Sequence, residues 1–326
     1  MLDDFYYELP RDRIAQQPTL PRDKCKMLVL NCDDIEHRIF SDIIDYLESG
    51  DVLVLNDSKV IKARIFAKKE TGGKIELLFI RKNGDYYECL VGGKVREGTK
   101  FYVNGKEGKI ISKDEGKCIV ELPMSIEEWE KIGRMPTPPY IKKEIENDSW
   151  YQTIFAKKKG SIAAPTAGLH FTSRLLKKLE EKGIKIVFIT LHVGLATFLP
   201  VKDIKTYRMG EEYFYVSEES ANEINKAKRV IAVGTTVVRA LESSSKNGIV
   251  FPKSGYTSIF IRPGYKFKSP MKAMITNFHM PRSSPLFLVS AFAGRERILK
   301  AYNEALKKDY AFLSFGDAML ILKCLN

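Results

Sequence analysis

The chain changes texture twice, and this limits the folds open to it more than any single motif does. Residues 51–55 (DVLVL) form a continuous apolar run of the kind buried on both faces of a parallel sheet, and it ends in the turn-forming Asn56, Asp57 and Ser58. From about Ala63 to Leu122 the pattern becomes short alternating segments, 74–80, 86–91, 100–103, 109–112 and 117–121. They are separated by Thr71-Gly72-Gly73, Asn83-Gly84-Asp85, Asn104-Gly105 and Glu115-Gly116. Short strands at regular spacing between glycine turns predict a small barrel or sandwich. The proline cluster at 135–140 (MPTPPY) closes the region, since successive prolines permit neither helix nor central strand.

Beyond that cluster, strands alternate with helices. A strand over 161–164 is expected to lead into a helix over 172–182, capped by Thr172 and ended by Gly183, and then into a strand over 185–193. A helix over 218–228, a strand over 229–233, the junction Gly234-Thr235-Thr236 and a helix over 237–244 make a second unit. A β-rich stretch over 256–275 follows, then a segment at 277–294 containing a helix, an amphipathic helix over 295–308 and a last strand over 317–323. The predicted fold is an α/β main domain, residues 1–62 and 151–326, with a mixed sheet and covering helices, plus an inserted all-β barrel-like domain over 63–150. Ligands of such a sheet are expected near its strand ends.

Composition narrows the function classes. The longest apolar runs are far shorter than the roughly 20 residues of a membrane helix, and the N-terminus MLDDFYYELP is acidic where a secretory signal is basic, so no membrane association and a cytoplasmic location are expected. The five cysteines, Cys25, Cys32, Cys89, Cys118 and Cys324, are scattered and never spaced as CxxC, which argues against a disulfide framework and a structural zinc site. Net charge is +12, but residues 1–62 carry 8 Lys and Arg against 13 Asp and Glu, residues 63–150 carry 17 against 15, and residues 151–326 carry 28 against 13. The excess in the C-terminal half suits a polyanion, with nucleic acid the first candidate and solubility the alternative.

Two segments hold half of the histidines: SIAAPTAGLHFT at 161–172 and ITLHVGLATF at 189–198. Thr166, Gly168 and His170 precede a helix start, where exposed N–H groups receive anions, and His192 sits at a strand end. Strands joined by one crossover helix bring their C-terminal ends to one edge, so the two histidines read as walls of one pocket; each also has a purely structural reading as a core histidine. Gly234-Thr235-Thr236 is another strand-to-helix junction with hydroxyls at the cap, and Arg239, one turn on, can reach the same ligand bidentately. Asn277, His279 and Arg282 form a polar turn before a hydrophobic helix. There is no HExxH, GxSxG, GxGxxG or GxxxxGK[ST], which removes the usual metalloprotease, hydrolase, dinucleotide and NTPase readings.

The ordered motifs FYYELPRDRIAQQP at 5–18, NDSKVIKARI at 56–65, GRMPTPPYI at 133–141, YQTIFA at 151–156, SIAAPTAGLHFT, ITLHVGLATFLPV, VGTTVVRALES at 233–243, ITNFHMPRSSPLFLVSAFAG at 275–294 and FSFGDAMLIL from Phe315 carry a resemblance over essentially the full length. The chain resembles the S-adenosylmethionine:tRNA ribosyltransferase-isomerases of queuosine biosynthesis. The resemblance implies transfer and isomerisation of the ribosyl part of S-adenosylmethionine onto 7-aminomethyl-7-deazaguanine at a tRNA wobble position, giving epoxyqueuosine, adenine and methionine. S-adenosylmethionine is then a co-substrate, with no cofactor or metal implied, and the enzyme is read as a monomer acting on tRNA.

On that reading His170, His192 and Glu212 are the candidate catalytic residues. Thr166, Gly168, Gly234, Thr235, Thr236, Arg239, Asn277 and His279 are the candidate substrate-binding residues, with Thr235, Thr236 and Arg239 on the methionine carboxylate or ribose. Lys157, Lys158, Lys159 and Arg282 are the candidate tRNA contacts, the lysine triplet being equally readable as an exposed charged loop. The chain departs from the family pattern at Gly210, where a histidine is usual, at Ala196, where glycine is usual, and at Leu199. Rival readings are a non-catalytic RNA-binding protein and a related nucleoside-exchange enzyme with another acceptor.

Overall fold

A computed structural model describes residues 2–114, 116–194, 201 and 203–324. Ala196, Leu199 and the end of the 189–198 segment lie outside the described residues. The chain divides into two units, Met1–Lys59 with Pro138–Lys158 and Ala164–Asn326, and Val60–Thr137 with Lys159–Ala163. The boundary after the insertion falls earlier than the expected 150 because the stretch following the prolines is bonded into the larger unit. There the Tyr140 hydroxyl lies 2.7 Å from Ser314 Oγ, and the Tyr140 carbonyl accepts from Gln16 Nε2 at 3.0 Å.

The larger unit is built on a nine-stranded mixed sheet. Its strands are β1 (Lys26–Asn31), β2 (Asp34–Ile39), β3 (Asp51–Asn56), β4 (Lys185–Leu191), β5 (Glu212–Val216), β6 (Arg229–Val233), β7 (Lys253–Thr257), β8 (Met271–Asn277) and β9 (Ala318–Leu322), ordered β7-β5-β4-β3-β6-β8-β9-β1-β2. The centre, β4-β3-β6-β8, is parallel, and all six residues of β3 are buried, as the DVLVL run requires. Helices α1 (Ser173–Glu181), α2 (Glu218–Asn225), α3 (Thr235–Ser244), α4 (Ser284–Ala293) and α5 (Arg295–Lys307) accompany it. Met27, Val29, Leu53, Leu55, Ile231, Val233, Ile275 and Leu320 from the strands pack with Phe40, Phe171, Leu175 and Leu179 in one apolar cluster. No helix among the described residues is long and apolar enough to cross a membrane.

The smaller unit holds a closed six-stranded barrel of Arg64–Lys69, Lys74–Asn83, Tyr86–Gly92, Lys100–Val103, Lys106–Asp114 and Lys117–Glu121. A short helix, Ile126–Ile132, follows behind a Ser125/Glu128 capping box. Its Trp129 stacks on Tyr87 with ring centres 5.1 Å apart, and its indole N–H donates to the Ala63 carbonyl at 3.2 Å. All five cysteines are free thiols.

Two local expectations need correction. The strand placed at 161–164 is instead Lys158–Ser161 and lies outside the nine-stranded sheet, while Thr166–His170 is a 3-10 helix. The small residues and Pro165 give that stretch no alternating pattern to pair with. The expected β-rich stretch over 256–275 contains only the end of β7 and most of β8.

The parallel centre is tied at its N-terminal edge by Asp51, which is fully buried. It pairs with Arg229 on the neighbouring β6, Nε and Nη2 reaching its two oxygens at 2.9 and 2.5 Å, and accepts the Glu48 N–H at 2.8 Å. Asp51→Ala is expected to cost about 2 kcal/mol, because it strands a guanidinium and a backbone N–H, less a discount for the half-exposed arginine. A shift of the urea midpoint checks this; a loss within about 0.5 kcal/mol contradicts it.

Candidate active site

Strand direction gathers the candidate residues. Because β3, β4, β6 and β8 are parallel, their C-terminal ends share one edge, which carries Asn56-Asp57, His192, Gly234-Thr235 and Asn277. Strand β5 runs antiparallel to β4, so its first residue, Glu212, arrives at the same edge. Strand β9 is antiparallel to β8 and parallel to β1, which brings Cys25, just before β1, to that edge as well.

The tightest cluster is formed by Glu212 and Arg239, 3% and 4% exposed. Glu212 Oε1 accepts the Gly194 N–H at 2.8 Å, and Oε2 is ion-paired with Arg239 Nη2. All three guanidinium nitrogens are buried without a hydrogen-bond partner among the described residues, Nη2 being held by Glu212 as an ion pair alone. Arg239 also lines a small concavity with Met209, Thr235, Ile259, Ser284 and Leu288. A desolvated guanidinium therefore borders a small recess lined by apolar side chains and two hydroxyls, and its unpartnered nitrogens are donors of the kind a carboxylate accepts from.

Helix α3 begins at Thr235, with Gly234 rather than a threonine as its cap and no side-chain capping bond, which corrects the expected capping role of the hydroxyls. Gly234 has φ of +91°, a conformation that excludes most side chains. Thr236 Oγ1 accepts from Asn56 Nδ2 at 3.4 Å, while Asn56 also spans to β4 through the Leu191 carbonyl and N–H at 2.9 and 3.0 Å. Asn56 thereby extends the β3-β4 ladder by a side chain and fixes the first turn of α3 from below. Asp57 accepts from Thr190 Oγ1 at 2.7 Å.

His192 is half-buried, stacked at 5.8 Å on Tyr213, and its Nδ1 has no hydrogen-bond partner among the described residues. Burial lowers its pKa from the ordinary imidazole value, partly opposed by Asp57, so it is neutral and able to accept a proton near pH 7.

His170 is placed differently: 4% exposed, with Nδ1 at 3.2 Å from Cys25 Sγ and its ring 5.1 Å from that of Phe40. Burial pushes its pKa down to about 4, with the Asn277 side chain opposing as a hydrogen-bond neighbour and Arg22 adding to the drop. Nε2 and Asn277 Oδ1 are the atoms of this group that lack another partner. Burial also raises the Cys25 thiol far above its usual range, so the thiol stays protonated beside Nδ1. His170 is thus wedged into the core beside the site rather than exposed across from His192.

Thr166 is half-buried at the start of the same 3-10 helix. Gly168 is there for packing, since a Cβ would stand 2.9 Å from the Phe155 ring and 3.0 Å from Thr153. Asn277 Nδ2 donates to the Leu313 carbonyl at 3.0 Å. His279 Nε2 lies 2.9 Å from Thr276 Oγ1, its N–H donates to the Tyr302 hydroxyl at 3.1 Å, and its carbonyl accepts from the Tyr7 hydroxyl. Burial holds its pKa down to about 3.

Among the expected tRNA contacts, Lys157 and Lys158 are exposed, with Lys157 Nζ 5.6 Å above the Phe188 ring. Lys159 is paired with Glu130 at 2.7 Å, and Arg282 is held by Asp3 at 2.5 Å and lies over the Tyr6 ring. These ion pairs engage both charges within the protein. Sequence reasoning passed over Cys25 and read Asn56 and Asp57 only as a turn. The signal for Asn56 and Asp57 was position, at the end of the VLVL run, where a parallel sheet presents its ligand edge, whereas Cys25 precedes its strand and carried no such signal.

The buried His170 makes stability depend on pH in a defined direction. Its folded pKa of about 4 lies below the unfolded value near 6.5, so between these the unfolded chain binds more protons, and stability falls as pH drops through that window. Thermal unfolding is expected to show a falling midpoint from pH 7 to 4.5 whose slope is smaller in His170→Gln, the buried His279 supplying a fall of the same sign in both proteins. An equal slope in both proteins contradicts the assignment.

The family model described as "Queuosine biosynthesis protein" matches residues 2–321. A relative from Desulforamulus reducens named S-adenosylmethionine:tRNA ribosyltransferase-isomerase is 48% identical over 340 residues, covering 98% of this chain and 99% of its own. One of the same name from Sulfurihydrogenibium sp. is 50% identical over 343 residues, with the same coverage. The crystal structure of S-adenosylmethionine tRNA ribosyltransferase from Thermotoga maritima matches with a TM-score of 0.58 at 37% identity, covering 98% of this chain and 100% of that one. The likeness spans both the mixed sheet and the barrel, and on these grounds the chain belongs to the queuosine biosynthesis protein family.

Proposed function

We propose that the chain is an S-adenosylmethionine:tRNA ribosyltransferase-isomerase that acts as a monomer on tRNA carrying 7-aminomethyl-7-deazaguanine at the wobble position. The observation that carries this is likeness at about half identity to enzymes of that name over 98% of the chain. The polar edge of the sheet supports it, because it offers a guanidinium with unpartnered nitrogens, two threonines and a neutral imidazole. S-adenosylmethionine is consumed as the ribosyl donor, and the proposal requires no resident cofactor or metal.

In this reading a base takes a proton from the carbon next to the sulfonium, whose positive charge acidifies it. Adenine leaves, the substrate amine attacks C1′, and closure of the epoxide expels methionine. His192 is assigned the proton transfer because it is neutral, half-buried and carries a ring nitrogen without a hydrogen-bond partner. Arg239 takes the methionine carboxylate through its unpartnered nitrogens, with Glu212 positioning it and Thr235 and Thr236 at the ribose. Asn277 and His279 line the nucleoside side. His170 acts through Cys25 and Asn277 as a positioning residue. Lys157 and Lys158 are the phosphate contacts.

Incubation with S-adenosylmethionine and tRNA bearing the deazaguanine base is expected to yield adenine and the epoxide nucleoside. His192→Ala should lower adenine release about 100-fold and remove the fall in rate on the acid side of neutrality. Absence of both products from folded protein contradicts the function. Adenine release at the wild-type rate by folded His192→Ala contradicts the proton assignment.

A further inference from the structure

The outermost strands of the sheet carry a row of rings that the chemistry above does not use. On β5 Tyr213 is half-buried and Tyr215 exposed while Glu212, Phe214 and Val216 are buried, and on β7 Tyr256 stands opposite Tyr213 in the antiparallel register. Tyr256 is 70% exposed, the most open of the large apolar side chains. Its ring meets Tyr213 edge-on at 5.7 Å, and Tyr213 in turn stacks on His192 at 5.8 Å.

The row continues across the same face of β4, where alternation puts Phe188 and Thr190 beside His192. Lys157 lies over Phe188, and Thr190 donates to Asp57, whose carbonyl accepts the Lys157 and Lys158 N–H groups at 2.8 and 3.1 Å. One face at the ligand edge thus runs from two exposed lysines, past His192, to an exposed aromatic tip. An exposed tyrosine on an edge strand is a liability in water, and a row of rings flanked by cations matches the way single-stranded nucleic acid is held.

We infer that Tyr256 and Tyr213, with Lys157 and Lys158, form a stacking platform for an unpaired loop base of the RNA substrate adjacent to the reacting nucleoside. This rests on the functional reading in taking RNA as the second substrate, and extends it by naming the part of the RNA held and the residues that hold it. Stacking accepts any base face, so the platform positions the loop while the reacting base is selected elsewhere. The lysines add a salt-dependent term from phosphate neutralisation.

The test uses the full chain and an RNA hairpin with a seven-base loop carrying 2-aminopurine next to the wobble position. Binding to the wild type is expected to quench the fluorophore by stacking. Tyr256→Ala should bind about tenfold more weakly and lose the quench, while Tyr256→Trp keeps both. Lys157→Ala and Lys158→Ala should each lower the slope of log affinity against log salt by about 0.7 while keeping the quench. Unchanged affinity and quench in Tyr256→Ala overturn the inference alone. A wild-type dimer that Tyr256→Ala dissolves, with hairpin affinity unchanged, overturns it in favour of a second copy on this edge. A wild type that binds no hairpin contradicts both the inference and the functional reading.

Discussion

The ion pair of Glu212 with Arg239 sets the terms for everything around it. Two charges almost wholly removed from water carry a large desolvation cost, which their attraction offsets only when the remaining donors and acceptors are also met. Glu212 meets that condition at Oε1, on the Gly194 N–H, while Oε2 has Arg239 as its ion-pair partner alone. Arg239 does not, since Nε and Nη1 stay unpartnered. The pair joins the first residue of β5, the segment after β4 and the first turns of α3, so three elements meet around a site one hydrogen-bonding group short. In the proposed function the methionine carboxylate completes it.

Sheet topology makes this pair possible. The parallel centre delivers Asn56, His192, Gly234 and Asn277 to one edge, and the reversal at β5 brings in Glu212 from the opposite chain direction. Asn56 closes the gap between β3, β4 and α3 through its side chain. The polar edge is backed by a packed apolar cluster, so its side chains are positioned by strands rather than by loops. On the far side of α3 from this cluster, Glu242 accepts the Lys268 and Ser269 N–H groups, which anchors part of the irregular stretch between β7 and β8.

Much of this was legible in the sequence wherever local pattern and tertiary demand agree. The DVLVL run, the glycine-spaced barrel strands, the 229–233 strand and the helices after Thr172 and Gly234 form close to where periodicity and turn chemistry put them. The segment at 158–170 was not legible, because a chain of small residues carries no period, and its 3-10 turn is set by contacts such as Gly168 against Phe155. For the same reason the two histidines were expected at twin strand ends, whereas His170 is held by Cys25, more than a hundred residues away in sequence. Partners so distant leave no trace in spacing. The pairing of Glu212 with Arg239 is of the same kind, visible only once β5 is folded against β4.

The most direct test of the central claim compares S-adenosylmethionine with its decarboxylated form by calorimetric titration of the wild type and Arg239→Lys. Lysine keeps a charge beside Glu212 but lacks the second, outward edge of the guanidinium. The account predicts that the wild type prefers the carboxylate-bearing ligand by roughly tenfold to a hundredfold, the range of a charge-assisted hydrogen bond, and that Arg239→Lys loses most of this preference while remaining folded. Equal binding of both ligands by the wild type, or an undiminished preference in folded Arg239→Lys, would contradict it.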